Sequence, residues 1–153
     1  MSKQAITAMI AALEPMAGTK TVTGIESDNF KRWIESADTP ARLILPSNEG
    51  EVHTLTPTGT GRTSQMEWII KDLLLYRPVE EGMGWLEIGY ALDDYCDSYA
   101  EKLVAVNHAT TGFCSIPAEV QQIDFLVGVH QFPRGGRSYY GVLVTLRVLE
   151  YIK

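Results

Sequence analysis

The chain has 153 residues, an apolar share of 45% and a formal net charge of −6. That length is most simply one domain, spanning 1–153, large enough to bury a real core. The acidic balance argues against a general nucleic-acid binder, which would carry a basic stripe, and no apolar run approaches the ~20 residues that cross a bilayer.

Taken in chain order, Lys3 to Leu13 reads as a helix, because Ile6, Met9, Ile10 and Leu13 recur at three and four residues and form one apolar stripe. Pro15 and Gly18 end it. Met1 to Ile6 lacks the long apolar core and cleavage site of a secretory signal, so none is expected. Thr19–Gly24 is a short β-prone stretch. Ser27, Asp28 and Asn29 suit the start of a brief helix through Trp33 and Ile34, since their side chains accept hydrogen bonds from free backbone N–H groups. Ala41–Leu45, bracketed by Pro40 and Pro46, predicts a strand. Ser47–Ser64 is rich in Gly, Pro, Thr and Ser, with a short strand expected near Glu51–Leu55 and a loop from Thr56 to Gly61.

Met66–Arg77 predicts a central strand. Ile69, Ile70, Leu73, Leu74 and Leu75 put apolar groups on both faces, as a strand covered on both sides requires. A helix is the competing reading of so short an apolar run. Pro78 and the Glu80-Glu81-Gly82 turn close it. Trp85–Val106 then predicts the main helix, with Trp85, Ile88, Leu92, Tyr95, Cys96, Tyr99, Leu103 and Val106 as its apolar stripe. After a polar linker, Asn107–Pro117, two alternating strands follow. Ile123, Phe125, Val127 and Val129 share one face of the first, and Tyr140, Val142, Val144, Leu146, Val148 and Ile152 share one face of the second. Pro133-Arg134-Gly135-Gly136-Arg137 joins them as a hairpin turn. The expected class is α+β: a mostly antiparallel sheet packed against a long amphipathic helix and an N-terminal helix, ending in a long β-hairpin.

The chemistry-bearing residues are sparse. Gly59-Thr60-Gly61-Arg62-Thr63-Ser64 lacks the lysine and glycine spacing of a phosphate loop, so a structural or interaction loop is favoured. Asp93, Asp94, Asp97 and Glu101 share a helical surface. Clustered carboxylates can hold a hard cation or act as an acid–base pair, but no histidine stands at i+3 or i+4, and a solvated acidic face is the favoured meaning. His53, His108 and His130 show no ligand spacing. Cys96 and Cys114 read as buried or free thiols in a reducing compartment rather than a disulfide framework, with a single bridge between them the minority reading, and a nucleophile pair of Cys114 with His108 or His130 is a weak signal. Arg134 and Arg137 fit a partner contact or ordinary solubilising positions equally well. Trp33, Trp68 and Trp85 read as core or subunit-contact residues. No catalytic residue, cofactor or metal is expected.

The ordered pieces are a pattern of elements rather than a short motif. They comprise the N-terminal helix, Pro40-Ala41-Arg42-Leu43-Ile44-Leu45-Pro46, the strand Glu67–Leu75, the long helix and the closing strand pair. Over nearly the whole chain this layout resembles the tail terminator (tail completion) proteins of long-tailed bacteriophages. The long Ser47–Ser64 and Asn107–Pro117 segments depart from the compact members of that family. The resemblance implies a non-enzymatic virion protein, assembled in the bacterial host cytoplasm. It would form a ring, usually a hexamer, that caps the tail tube, ends its polymerisation and joins it to the head-side stopper or connector.

On that reading the partners are further copies of the chain, the tail tube protein and the head-side connector, with no membrane involved. DNA passes through the lumen without specific binding. Glu80, Glu81, Asp93, Asp94, Asp97 and Glu101 are expected to line the lumen, where DNA phosphates would meet few cations. Thr58, Gly59, Thr60, Gly61 and Arg62, with Arg134, Gly135, Gly136 and Arg137, are expected at contacts between subunits or neighbouring rings. The rivals are another neck or tail component (a stopper or a more β-rich tube subunit), a small metal-dependent enzyme using Asp93, Asp94, Asp97 and Glu101, and a dimeric ligand-binding α+β domain.

Overall fold

A computed structural model describes residues 2–22, 39–45, 50–57, 64–79, 84–107, 118–131 and 137–152. The fold is α+β and mostly sheet. Two helices, α1 (Ser2–Ala12) and α2 (Trp85–Asn107), accompany six strands: β1 (Lys20–Val22), β2 (Ala41–Leu45), β3 (Thr54–Thr56), β4 (Ser64–Pro78), β5 (Ala118–Gln131) and β6 (Ser138–Ile152). The sheet order is β1-β2-β4-β6-β5, with β3 also pairing β4. β2 and β3 lie in tandem along one edge of β4, at Lys71–Leu75 and Gln65–Glu67 respectively, while β6 occupies its other edge from Ser64 to Pro78. The sheet is mixed, because β1 runs parallel to β2 while the other pairings are antiparallel. The short helix expected to start at Ser27, Asp28 and Asn29 and run through Ile34 lies outside the described residues, and the strand expected near Glu51–Leu55 sits slightly later, at Thr54–Thr56.

β4 resolves its own helix-or-strand ambiguity by position. Ile70 and Leu74 enter the main core with α1 and α2, while Leu73 and Leu75 pack on the opposite face with Leu43 and Tyr139. A helix could not divide neighbouring residues between two opposed apolar layers in this way; a strand does so by alternation. The main core is completed by Ile6 and Ile10 of α1, by Ile88, Leu92, Tyr95, Tyr99 and Leu103 of α2, and by Val142, Val144, Leu146 and Val148 of β6. Each fully buried Ile or Leu contributes about 1.5–3 kcal/mol from lost apolar hydration.

Two irregularities adjust the register. A bulge between Val120 and Gln122 shifts the parity of β5, so that Val120 and, beyond it, Ile123, Phe125 and Val127 all pack against the same core. A second lies between Leu75 and Arg77, where Gly141 stands opposite Leu75. A Cβ on Gly141 would fall 1.9 Å from Leu74 O, so only glycine permits the close approach of β4 and β6 there. The core-side rows of the last two strands do not stay buried throughout: Val129 and Ile152 are exposed at the strand ends.

Candidate functional site

Much of the expected interface falls outside the described residues. Thr58, Gly59, Thr60, Gly61, Arg62, Arg134, Gly135, Gly136, Glu80 and Glu81 are all in that group, as are His108, Cys114 and Trp33. Arg137 is described, exposed just before β6.

Asp93, Asp94, Asp97 and Glu101 are exposed on the side of α2 turned away from the sheet. At 100° per residue they share that surface with Leu86, Tyr90 and Val104, which are 77%, 74% and 54% exposed. The outward face of α2 is therefore acidic in its middle and apolar at both ends. Leu86, Tyr90 and Val104 were not singled out by sequence patterning. The signal was present, because they fall on the helix sector opposite Ile88, Leu92, Tyr95 and Tyr99. Trp85, 46% exposed, leans on Tyr140 of β6 with ring centroids 5.6 Å apart. Among the described residues no three His, Cys, Asp or Glu side chains converge as a metal-holding group.

Cys96 is half-buried on the flank of α2 and makes no disulfide. Burial, followed by the nearby charges of Asp93 and Asp97, pushes its thiol up to about 11. This is the opposite of the activation a nucleophilic cysteine requires.

The buried charges lie elsewhere, under α1. Arg42 of β2 and Asp72 of β4 are both fully buried on the helix-facing side of the sheet. Arg42 Nε donates to Asp72 Oδ1 and Oδ2 at 3.0 and 2.9 Å, and Nη2 donates to Oδ2 at 2.6 Å. Nη1 donates to the carbonyls of Ala11 and Leu13 at 3.2 and 2.6 Å, and Nη2 to that of Ile10 at 2.6 Å. These carbonyls belong to the end of α1, where helix geometry leaves acceptors without intrahelical donors and the helix dipole favours a cation. Tyr99 of α2 donates to Asp72 Oδ2 at 2.7 Å, and its ring lies 5.6 Å from the guanidinium carbon. One arginine thus ties two strands to α1, and one carboxylate ties them to α2.

Burial disfavours the charge on both partners, and each offsets that cost for the other. Burial works to lower the Arg42 pKa, but the Asp72 charge and hydrogen bonds outweigh it and hold the guanidinium above its ordinary value. Burial raises the Asp72 carboxyl against the opposing pull of Arg42 and Tyr99. The donors on the carboxylate, from Arg42 and Tyr99, favour its charged form. Tyr95 sits beside the pair, its buried hydroxyl close to Arg42 but without a hydrogen bond of good geometry among the described residues, since the five guanidinium N–H groups are directed at Asp72 and the α1 carbonyls. The same saturation decides the meaning of the cavity of about 300 Å³ beneath the end of α1, lined by Leu13, Glu14, Met16, Thr19, Thr21 and Arg42. Its arginine has no donor left for an anion, so the cavity is a packing feature.

A second polar group joins the start of α1 to the β3–β4 region. Glu51 lies 3.9 Å from both Lys3 and Lys71 and 3.6 Å from His53, and the His53 ring packs at a tilt against Trp68 with centroids 5.0 Å apart. Burial lowers the Lys3 pKa, with Glu51 pulling the other way. Lys102 of α2 also donates to the Glu14 carbonyl, so α1 is held at both ends.

The chain matches no protein-family model and no curated sequence.

Proposed function

We propose that this chain is a structural virion protein of the tail-terminator type. It forms a hexameric ring that caps a phage tail tube, ends its polymerisation and joins it to the head-side connector. Its partners are copies of itself, the tube protein and the stopper or connector, with DNA passing through the lumen unbound. The finer architecture belongs to the same reading: a long amphipathic helix laid over a mostly antiparallel sheet that closes in a hairpin.

The observation that supports it most is the outward face of α2. Four carboxylates, Asp93, Asp94, Asp97 and Glu101, stand exposed along it, and no basic residue enters its last turn. Repeated around a ring, that face would present a wall from which DNA phosphates gain no counter-ion release. The apolar ends, Leu86 with Tyr90 and Val104, suit contacts above and below it. The buried Arg42–Asp72–Tyr99 group, by contrast, is bonded within itself and to the end of α1, and fixes both helices to the sheet, as a rigid assembly unit needs.

Reversing the charge at Asp93, Asp94, Asp97 and Glu101 tests the lumen assignment. Particles should still assemble, and DNA delivery should fall; normal delivery by such particles contradicts the assignment. Calorimetric titration with divalent ions tests the enzyme alternative, which requires tight binding at this cluster.

A further inference from the structure

The outer edge of β5 is long and, among the described residues, unpaired. β5 has 14 residues, against a usual strand length of about 5–6. It forms the sheet margin beyond β6, and no described strand pairs with its other side. Exposed edges are ordinarily blunted by lysine, proline or shortness. β1, at the opposite margin, shows two of these devices: it has three residues and opens with the exposed Lys20. β5 contains no Lys, Arg or Pro, and beyond its bulge carries one acidic residue, Asp124. Leu126 and Val129, on its two faces, are 60% and 55% exposed.

We infer that this edge is a self-association site, where β5 pairs antiparallel with β5 of a second copy about a two-fold axis through Val127. Length favours this occupant, since the other described margin strand is three residues long and only another β5 matches the whole edge among the described margins. Side-chain chemistry favours the register. Centring on Val127 sets Phe125 against Val129 twice, extending the core-side apolar row across the junction. It also sets Asp124 against His130 twice, and Leu126 against Gly128, which has no side chain of its own and around whose Cβ position nothing lies within 4 Å. Aromatic–β-branched cross-strand pairs such as Phe125 with Val129 are stabilising. In the single copy the edge side chains satisfy themselves: His130 Nε2 lies 3.1 Å from Leu126 O, and Gln122 donates to Asp124 at 3.0 Å. Both contacts are exposed and exchange readily for a partner strand.

An isologous contact closes at two copies. It therefore goes beyond the ring reading, describes the free chain, and stands or falls separately from it. Sedimentation equilibrium of the purified full chain, alongside Leu126→Lys and Val129→Lys, tests it. The wild type should be a dimer, and each substitution, present twice in the contact, should weaken dimerisation about tenfold or more. Both positions are exposed, so the dilute variants should unfold at the wild-type midpoint. Hydrogen exchange should show β5 amides between Ile123 and Gln131 losing protection in the variants. A wild type that stays monomeric at high concentration overturns the inference and leaves the edge to a different partner. An oligomer indifferent to both lysines also overturns it.

Discussion

Arg42 and Asp72 meet in a fully buried, bidentate ion pair whose remaining guanidinium N–H groups close the end of α1. Breaking one side of such a pair leaves an uncompensated buried charge, which typically costs about 3–5 kcal/mol. Asp72→Leu and Arg42→Met should each lower stability by about that amount in urea unfolding. The pair Arg42→Met with Asp72→Leu should cost less than the sum, because no charge is stranded. Additive losses in the double-mutant cycle would show that the two residues act independently.

Tyr99 and Tyr95 are neighbours on α2 with opposite bonding, ring centroids 5.9 Å apart. Tyr99→Phe removes a hydrogen bond to a carboxylate and should cost about 1.5–3 kcal/mol. Tyr95→Phe removes a buried hydroxyl without a partner and should be neutral or stabilising. Equal losses at the two positions would contradict the hydrogen-bond assignment.

The same two hydroxyls give an alkaline limit. Burial first, then the Asp72 charge, raises both pKa values above the ordinary tyrosine value. A raised folded pKa means that the unfolded chain releases its proton first. The stabilisation is therefore fully present below about 10 and is lost as pH rises from there through the folded values. Unfolding free energy should fall with pH above that point, and the fall should be shallower in Tyr95→Phe/Tyr99→Phe. An unchanged slope in the double variant would sink this account.

Gly141 and Gly128 are cross-strand partners with opposite tolerance. A methyl group at Gly141 meets Leu74 backbone, whereas at Gly128 it meets open space. Gly141→Ala should cost about 3 kcal/mol or prevent folding, at the upper end of overpacking penalties. Gly128→Ala should change stability by less than about 0.5 kcal/mol. Thermal unfolding of the two variants checks the contrast.

Cys96 reports on the acidic face. With its thiol pushed up to about 11 by burial and by Asp93 and Asp97, it should alkylate far more slowly at pH 8 than a free cysteine of ordinary pKa ~8.5. The measurement is made in a Cys114→Ser background. Asp93→Asn/Asp97→Asn should quicken the reaction. No acceleration would mean that the carboxylates do not act on the thiol.

Periodicity made the helices and long strands legible. Ile6 with Ile10, and Ile88 with Leu92, Tyr95, Tyr99 and Leu103, are spaced for one buried stripe and form one. The prolines flanking Ala41–Leu45 mark β2, whose bounds agree with the expectation. The Arg42–Asp72–Tyr99 group was not legible. Its bonded neighbours are 30 and 27 residues apart, and alternation shows which face a residue takes but not which strand lies beside it. The parity change in β5 was written in Val120 followed by Ile123 and Phe125, yet an extra residue becomes visible as a bulge only against the register of β6. Exposure of Val129 and Trp85 follows from where the sheet and α2 end, a property of tertiary arrangement that local pattern does not carry. Of the acidic and interface residues, pattern correctly made Asp93, Asp94, Asp97 and Glu101 a solvated face.

The central claim is a ring at the neck of a tailed phage, and electron microscopy of particles bearing a gold label on this chain tests it most directly. The account predicts label confined to a collar at the head–tail junction, with several copies per particle. Label along the tube, at the tail tip or absent from particles would contradict it.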